Sequence, residues 1–274
     1  MKQSRLSLLV FLLISMLACV IPGLEAPAPA LVDPNVLSTI VVSTANAAAS
    51  QTAVAQPSAT GIPADATVPR MTGISLEQLQ DGTTKYIDHD GGFELIFPAG
   101  WLELRPNSDE FNDSLADAGA RNSSLRTQMT ADQAAYDAKL DRLYSYILRP
   151  DIGKNALYGF SKVAWDSEDA TLLDNDTMGE LTRVLESSKD LRGFRSDTAQ
   201  LRENDNAVMT IEIGGRFPLS DGQGGTIPVY ATILIFKPTS HSVTRIAFAF
   251  LEAYNAQIST DVKSVIQSIK LVGQ

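Results

Sequence analysis

Hydrophobic and polar residues alternate along several short runs of the chain that end in turn residues. The run Phe93–Phe97 (FELIF) alternates and ends at Pro98, and Trp101–Leu104 (WLEL) follows a Pro-Ala-Gly turn. Such alternation over four to eight residues is typical of a half-buried strand. The pattern predicts two strands here and a further strand over residues 157–165.

Longer segments repeat their apolar residues every three, four or seven positions, which predicts helices. The segment 115–147 follows this period, and Asn122-Ser123-Ser124 can break it in two. Its apolar positions are Leu115, Ala118, Leu125, Met129, Tyr136, Leu140, Leu143, Tyr144 and Ile147. A helix is also predicted over 176–191, with Asp176 as its N-terminal cap, and another over 255–269.

Strand-like runs dominate the region between the last two predicted helices. They cover residues 198–202, 207–217, 227–237 and 243–251, and turn-rich connections separate them. Consecutive strands joined by short turns indicate an antiparallel meander. The order of elements predicts an α+β fold in which a central antiparallel β-sheet is flanked by helices.

Residues 91–101 (GGFELIFPAGW) resemble the Gly-Phe-x-x-x-x-Pro-x-Gly-Trp entry of PsbP-like domains. The end of the chain is similar too, with the strand RIAFAFLE followed by a helix ending in VKSVIQSIKLV. The resemblance covers residues 71–274 and implies a PsbP-like α/β/α sandwich around a central antiparallel sheet. Photosynthetic members of the family assemble or support the oxygen-evolving complex. None of the family's catalytic or metal residues can be matched in this chain.

The N-terminus combines a basic start with an apolar run. Lys2 and Arg5 precede the uncharged segment 6–17, and Ala18 stands directly before Cys19. These features are those of an export signal. The segment resembles a bacterial lipoprotein signal, and the resemblance implies that residues 1–18 are removed and that Cys19 carries a lipid.

Two alternatives to lipidation remain open from the sequence. Met16 and Leu17 depart from the residues usual before a lipidated cysteine, so ordinary cleavage after Ala18 would leave Cys19 incidental. Alternatively, residues 6–24 stay as a membrane anchor, although Pro22-Gly23 interrupt the stretch near its end. All three interpretations place the rest of the chain outside the cytoplasm.

The segment 19–70 differs in composition from both its neighbours. It is rich in Ala, Thr, Ser and Pro and has few large apolar side chains. Such a segment buries too little surface to offset the entropy of ordering, which predicts a flexible tether. A short Ala-rich helix within residues 36–55 is the alternative. Residues 71–274 then form one globular domain.

The charge of the chain limits its partners. The formal net charge is −10, and loss of Lys2 and Arg5 with the signal makes the mature chain 20 − 32 = −12. This excess repels nucleic acid and anionic lipid surfaces, so we expect no nucleic-acid binding. Membrane association should depend on the lipid on Cys19, and the expected partner is a protein of the cell envelope.

The sequence contains no recognisable catalytic, cofactor-binding or metal-binding set. Cys19 is the only cysteine, so the folded domain lacks thiol chemistry. Asp88-His89-Asp90 is predicted to be a turn, because adjacent residues of an extended segment point in different directions. Asp174-Asn175-Asp176 lacks the later oxygen ligands of a calcium loop. The acidic pairs are expected to be solvated: Asp109-Glu110, Glu168-Asp169 and Glu203 with Asp205.

Location and the missing catalytic set together favour one hypothesis. They predict a non-enzymatic binding or scaffolding module, lipid-anchored on the extracytoplasmic face of the cell membrane and needing no cofactor. The alternatives are a metal-binding accessory protein and a carboxylate-dependent hydrolase.

Overall fold

The computed structural model describes residues 72–149, 156–188, 191–220 and 225–272. Its helices are α1 (Asp109–Arg121), α2 (Ser123–Ala134), α3 (Asn175–Ser187) and α4 (Asn255–Ser268), the last following a 3-10 turn at Glu252–Tyr254. Its strands are β1 (Ile74–Gln78), β2 (Thr84–Asp88), β3 (Phe93–Phe97), β4 (Trp101–Leu104), β5 (Asp141–Ile147), β6 (Gly159–Asp166), β7 (Arg195–Glu203), β8 (Met209–Ser220), β9 (Thr226–Thr239), β10 (Ser242–Leu251) and β11 (Lys270–Leu271).

The strands form two antiparallel sheets. The large sheet has the order β4-β5-β6-β10-β9-β8-β7, and the small sheet has the order β1-β2-β3-β11. The predicted α+β class, with antiparallel strands flanked by helices, is confirmed. The division into two sheets was not predicted. It arises because β3 pairs with β2, whereas Gly100, at φ +85°, turns the chain so that β4 joins β5 in the other sheet.

Apolar side chains pack on both faces of the large sheet. On one face, which we call the helix-side core, side chains such as Tyr146 pack with Phe111 of α1 and Leu181 of α3. On the other face, the inter-sheet core, Phe248 packs with Phe93 of the small sheet and with α4. The alternation of inward residues along each strand produces this arrangement.

The segment after α2 differs from its prediction. Residues 141–147 form strand β5 rather than the end of a helix, since they pair with both β4 and β6. Their apolar residues cover both faces of a central strand, and this pattern also fits a helical period. The predicted break is confirmed, because the Asn122 side chain accepts a hydrogen bond from the Leu125 N–H and caps α2.

The remaining predictions differ from the structure mainly at element ends. The helix predicted from 176 begins at Asn175, and its cap is Asp174 rather than Asp176. The Asp174 carboxylate accepts the N–H of Thr177 at 2.7 Å, three residues on, which is the geometry of an N-cap. The four predicted strands of the meander are confirmed as β7 to β10.

Within the described residues, no helix combines the length and apolar character needed to cross a membrane. The proposed signal, Cys19 and the tether lie outside the described residues.

Candidate functional site

A lysine lies buried in the helix-side core. Lys162 is on β6, opposite Tyr144 of β5, and its Nζ lies 2.8 Å from Asp141 Oδ1. Asp141 Oδ1 receives no aligned hydrogen bond, so the contact is chiefly electrostatic. The ammonium also lies 5.6 Å from the centre of the Tyr144 ring, within reach of a cation–π interaction.

A second buried carboxyl joins α2 to this lysine site. Asp132 accepts the hydroxyl of Tyr146 at 2.8 Å and the side-chain N–H of Gln128 at 3.0 Å. Its backbone oxygen accepts the Tyr144 hydroxyl at 3.2 Å. Burial raises the pKa of Asp132 to about 7, against the lowering effect of Tyr146, Gln128 and Lys162.

These six residues form what we call the buried network: Gln128, Asp132, Asp141, Tyr144, Tyr146 and Lys162. The Tyr144 hydroxyl completes it by donating to Asp141 Oδ2 at 2.8 Å. The network holds an acid, a base and two phenols within contact of one another, which could support proton transfer. Asp132, Asp141 and Lys162 are each buried, so a substrate does not reach them in this arrangement of the fold.

A second arrangement fixes the loop that precedes α3. Asp169 pairs with Arg245 of β10, and both side chains are buried. The other oxygen of Asp169 accepts the N–H and the hydroxyl of Thr171 at 2.8 and 2.6 Å. Lys237 of β9 donates to the Thr171 carbonyl oxygen at 2.9 Å. Burial raises the pKa of Asp169, but Thr171 and Arg245 together outweigh it and the pKa falls below its ordinary value.

Residues 169–174 therefore form a pinned loop, and its tip is apolar. Leu172 is 68 % exposed, whereas the other large exposed apolar residues in the described chain, Ile96 and Met209, are 37 % and 38 % exposed. Its neighbour Leu173 packs against the helix-side core. The loop is held from both sides while one leucine projects from it.

The inter-sheet core contains one further carboxyl of interest, Glu103 on β4. The Ser145 hydroxyl donates to its Oε1 at 3.4 Å. Burial raises the pKa of Glu103 to about 7, and the hydroxyls of Thr84 and Ser145 only partly oppose this effect.

His89 does not join the two aspartates beside it, Asp88 and Asp90. His89 Nε2 lies 2.8 Å from the Ser75 hydroxyl. The Asp88 carboxylate accepts the Gly91 N–H at 2.7 Å, and Asp88 and Asp90 lie 3.7 and 3.6 Å from Arg142. Across the described ranges, no three His, Cys, Asp or Glu side chains come together in a way that could hold a metal ion.

The other candidate residues are also separated. The pair Glu168-Asp169, expected to be solvated, is divided, because Glu168 is exposed and Asp169 is buried. The important residues that the sequence did not single out are Glu103, Asp132, Asp141, Lys162 and Arg245. One signal could have found part of this set: Lys162 and Arg245 are charged residues within otherwise apolar strands, where burial demands a partner.

Comparisons with known proteins give structural neighbours but no sequence match. No family model and no curated protein matches the chain. The solution structure of cyanobacterial PsbP from Synechocystis is 13 % identical, covers 70 % of this chain and 93 % of its own, and has a TM-score of 0.43. LpqN of Mycobacterium tuberculosis, which is involved in cell envelope biogenesis, is 11 % identical, covers 75 % and 100 %, and has a TM-score of 0.38.

A third neighbour is a protein of Bacteroides thetaiotaomicron. It is 11 % identical, covers 67 % of this chain and 46 % of its own, and has a TM-score of 0.36. The Synechocystis protein is of the family that residues 91–101 resemble. The functional inferences below rest on the contacts of this chain alone.

Proposed function

We propose that this protein is a non-enzymatic binding or scaffolding module that a lipid on Cys19 tethers to the extracytoplasmic face of a bacterial membrane. One observation carries the binding part of the proposal. The pinned loop holds Leu172, the most exposed large apolar side chain in the described residues, in a fixed position.

The contacts of the pinned loop favour a loop that is ordered before a partner binds. Burying an arginine with an aspartate is a weak source of stability, because both charges lose their hydration. The Asp169–Arg245 pair nevertheless forms, and with Lys237 it restrains the backbone on both sides of Thr171. A loop that is ordered before binding loses less conformational entropy in a complex. Leu172 is therefore suited to act as an apolar anchor.

The charges around the loop indicate the chemistry of its partner. Glu168 and Asp176 are exposed on either side of the loop, and Asp174 is partly exposed at its end. Complementary charge guides association and suppresses wrong partners. The partner that fits is an envelope protein with an apolar pocket for Leu172 and basic residues around its rim.

Site-specific photo-cross-linking tests this surface in the full-length, membrane-bound protein. With a photoreactive residue at position 172, we expect one discrete cross-linked protein with a pocket of that chemistry. Added wild-type protein should compete the product away, whereas Leu172→Ala protein should not. Ile96→Ala is the matched control, because Ile96 is also exposed but lies on the small sheet. Equal competition by all three proteins would show that Leu172 is not the anchor.

The anchor part of the proposal has a separate test. The basic start, the apolar segment 6–17 and the position of Cys19 after Ala18 support it. In cells labelled with a fatty acid, the wild-type protein should carry the label and remain in the membrane fraction. Cys19→Ser should lose both properties. Unchanged labelling of the variant would rule out lipidation at this residue.

A carboxylate-dependent hydrolase is the second candidate, and one observation favours it. Asp132 has its pKa raised to about 7 beside Lys162, and perturbed acids often mark catalytic sites. A screen of ester, phosphate and glycoside substrates, with and without divalent ions, tests this alternative. Activity that Asp132→Asn abolishes without unfolding the protein would establish an enzyme. We expect no such activity, because Asp132 is buried.

A further inference from the structure

Helix α2 buries a face that is half polar. Its buried residues are Leu125, Gln128, Met129 and Asp132, spaced so that they share one side of the helix. The buried residues of α3 are leucines, and those of α4 are isoleucines and valines. The packing of α2 therefore depends more on its polar contacts than the packing of α3 or α4 does.

These polar contacts meet at Asp132. The Tyr146 hydroxyl donates to its carboxyl group at 2.8 Å, and the Tyr144 hydroxyl donates to its backbone oxygen at 3.2 Å. Both tyrosines lie on β5, so these two bonds join α2 to the large sheet. Gln128, one turn earlier in α2, donates to the same carboxyl group at 3.0 Å. The state of Asp132 therefore affects how firmly α2 is held on the sheet.

The buried charges around Asp132 do not balance when both nearby carboxyl groups are ionised. Asp132, Asp141 and Lys162 are 4 %, 6 % and 3 % exposed, so two carboxylates would share one ammonium group. Lys162 pairs with Asp141 at 2.8 Å, and both of these residues belong to strands of the sheet. Asp132, on the helix, has no such close counter-charge in the described part of the chain. A buried charge without a partner is costly, which favours the protonated form of Asp132.

The neighbouring elements do not supply the missing charge. Helix α1 contacts the network through Phe111, whose ring centre lies 6.0 Å from that of Tyr144, and the acidic residues of α1 are exposed. Asp137 and Lys139, which precede β5, are exposed too. Asp132 lies in the last turn of α2, which contains no basic residue. The unpaired carbonyl groups of a helix end carry partial negative charge and further disfavour a carboxylate there.

We propose that α2 is a pH-sensitive element, which packs on the sheet while Asp132 carries a proton and opens locally when Asp132 is ionised. In the open state the Asp132 carboxylate is in water. The pair of Asp141 and Lys162 stays on the sheet, where its charges cancel. Opening thus separates the one unbalanced charge from the balanced pair. The proposal is independent of the partner surface on the pinned loop.

The direction of the pH response follows from the proton on Asp132. Burial raises the pKa of Asp132 to about 7 in the packed state, although its hydrogen bonds and Lys162 oppose this effect. In the open state the carboxyl group is solvated and has its ordinary pKa of about 4. Opening therefore releases a proton between about pH 4 and pH 7, and the equilibrium constant for opening rises up to about tenfold per pH unit in this range. Above about pH 7 it should rise no further.

Amide hydrogen exchange of the full-length protein in detergent tests this inference. Exchange rates in α2 and α4, corrected for the intrinsic rate at each pH, are measured from pH 5 to pH 8 with and without a low concentration of urea. Exchange through local opening depends little on urea, whereas exchange through global unfolding depends on it strongly.

The amides of α2 should exchange about a hundredfold faster at pH 7 than at pH 5, with little effect of urea and little change from pH 7 to pH 8. The amides of α4 should exchange more slowly and respond strongly to urea. If α2 responds to urea as α4 does, it opens only when the whole domain unfolds, and the proposal is wrong. A local opening of α2 that is the same at pH 5 and pH 7 would equally overturn it.

Two variants of similar shape to the wild-type residues assign the effect. Asp132→Asn mimics the protonated side chain but does not titrate, so α2 should exchange at pH 7 as slowly as at pH 5. Glu103→Gln is the matched control, because it removes another carboxyl group with a pKa of about 7 that lies in the inter-sheet core. It should leave the pH response of α2 intact. A pH response that persists in Asp132→Asn, or that disappears in Glu103→Gln, would show that Asp132 does not control α2.

Discussion

Asn204 donates its side-chain amide to the carbonyl oxygens of Ile266 and Ile269, at 3.0 and 2.8 Å. It lies in the turn between β7 and β8, and its Oδ1 accepts the N–H groups of Asn206 and Val208, both at 3.0 Å. The last carbonyl groups of any α-helix lack partners within the helix. One buried side chain thus both shapes a turn of the large sheet and satisfies the end of α4.

Replacement of Asn204 should therefore destabilise the protein more than replacement of an ordinary turn residue. Asn204→Ala leaves two buried carbonyl groups and two N–H groups without this partner, and we expect a loss of about 2–4 kcal/mol in the free energy of unfolding. Urea unfolding monitored by circular dichroism measures it. Asn175→Ala, at an exposed position of α3, is the control and should change stability by less than about 0.5 kcal/mol. An equally small change in stability for Asn204→Ala would contradict the role of Asn204 in shaping the turn and satisfying the end of α4.

Stability should decline as the pH rises towards neutrality. Burial raises the pKa of Asp132 from 3.8, and that of Glu103 from 4.5, to about 7. Between about pH 4 and pH 7, Asp132 and Glu103 hold protons in the folded state that they have lost in the unfolded state. The contribution is complete below about pH 4 and is lost by about pH 7, on the order of 3 kcal/mol for each group.

Urea unfolding at intervals from pH 5 to pH 8 measures this dependence. Asp88 has a raised pKa and acts in the same direction, whereas the lowered pKa of Asp169 matters only in more acidic solution. Asp132→Asn removes one titrating group and should flatten the profile. A wild-type profile that rises from pH 5 to pH 8 would contradict the expected sign.

The buried network should respond cooperatively to mutation. Lys162→Met leaves Asp141 buried without its ammonium partner, and we expect a loss of about 3–5 kcal/mol in unfolding free energy. The double variant Lys162→Met/Asp141→Asn should lose less than the sum of the single variants, because neither charge remains unpaired. Lys263→Met, on the exposed side of α4, is the matched control. Strict additivity of the two single effects would show that the pair is not coupled.

Two glycines should respond to alanine in opposite directions. A Cβ at Gly159 would lie 2.5 Å from the Ala249 carbonyl oxygen across the β6–β10 pairing, so Gly159→Ala must displace a central strand. Around Gly179 in α3 there is nothing within 4 Å of such an atom. Gly179→Ala should raise stability by about 0.5–1 kcal/mol through better helix propensity, and Gly159→Ala should lower it by more than about 2 kcal/mol. Thermal unfolding of both variants gives the comparison.

Local patterns in the chain predicted most of the strands and helices, because alternation and helical periodicity report which side of an element is buried. They failed at 141–147, where apolar residues on both faces of β5 match a helical period. They also missed β1 and β2, whose short runs mix polar and apolar residues and become strands through pairing of β1 with β2 and of β2 with β3.

The sequence by itself determined the antiparallel meander and the turns around His89, since each depends on neighbouring residues. The lipid on Cys19 stays a prediction. The tertiary structure decided the division into two sheets, the buried network and the pinned loop. These features join residues far apart in the chain, as Asp169 and Arg245 do across 76 positions. The raised pKa values of Asp132 and Glu103 come chiefly from burial, which no local sequence pattern shows.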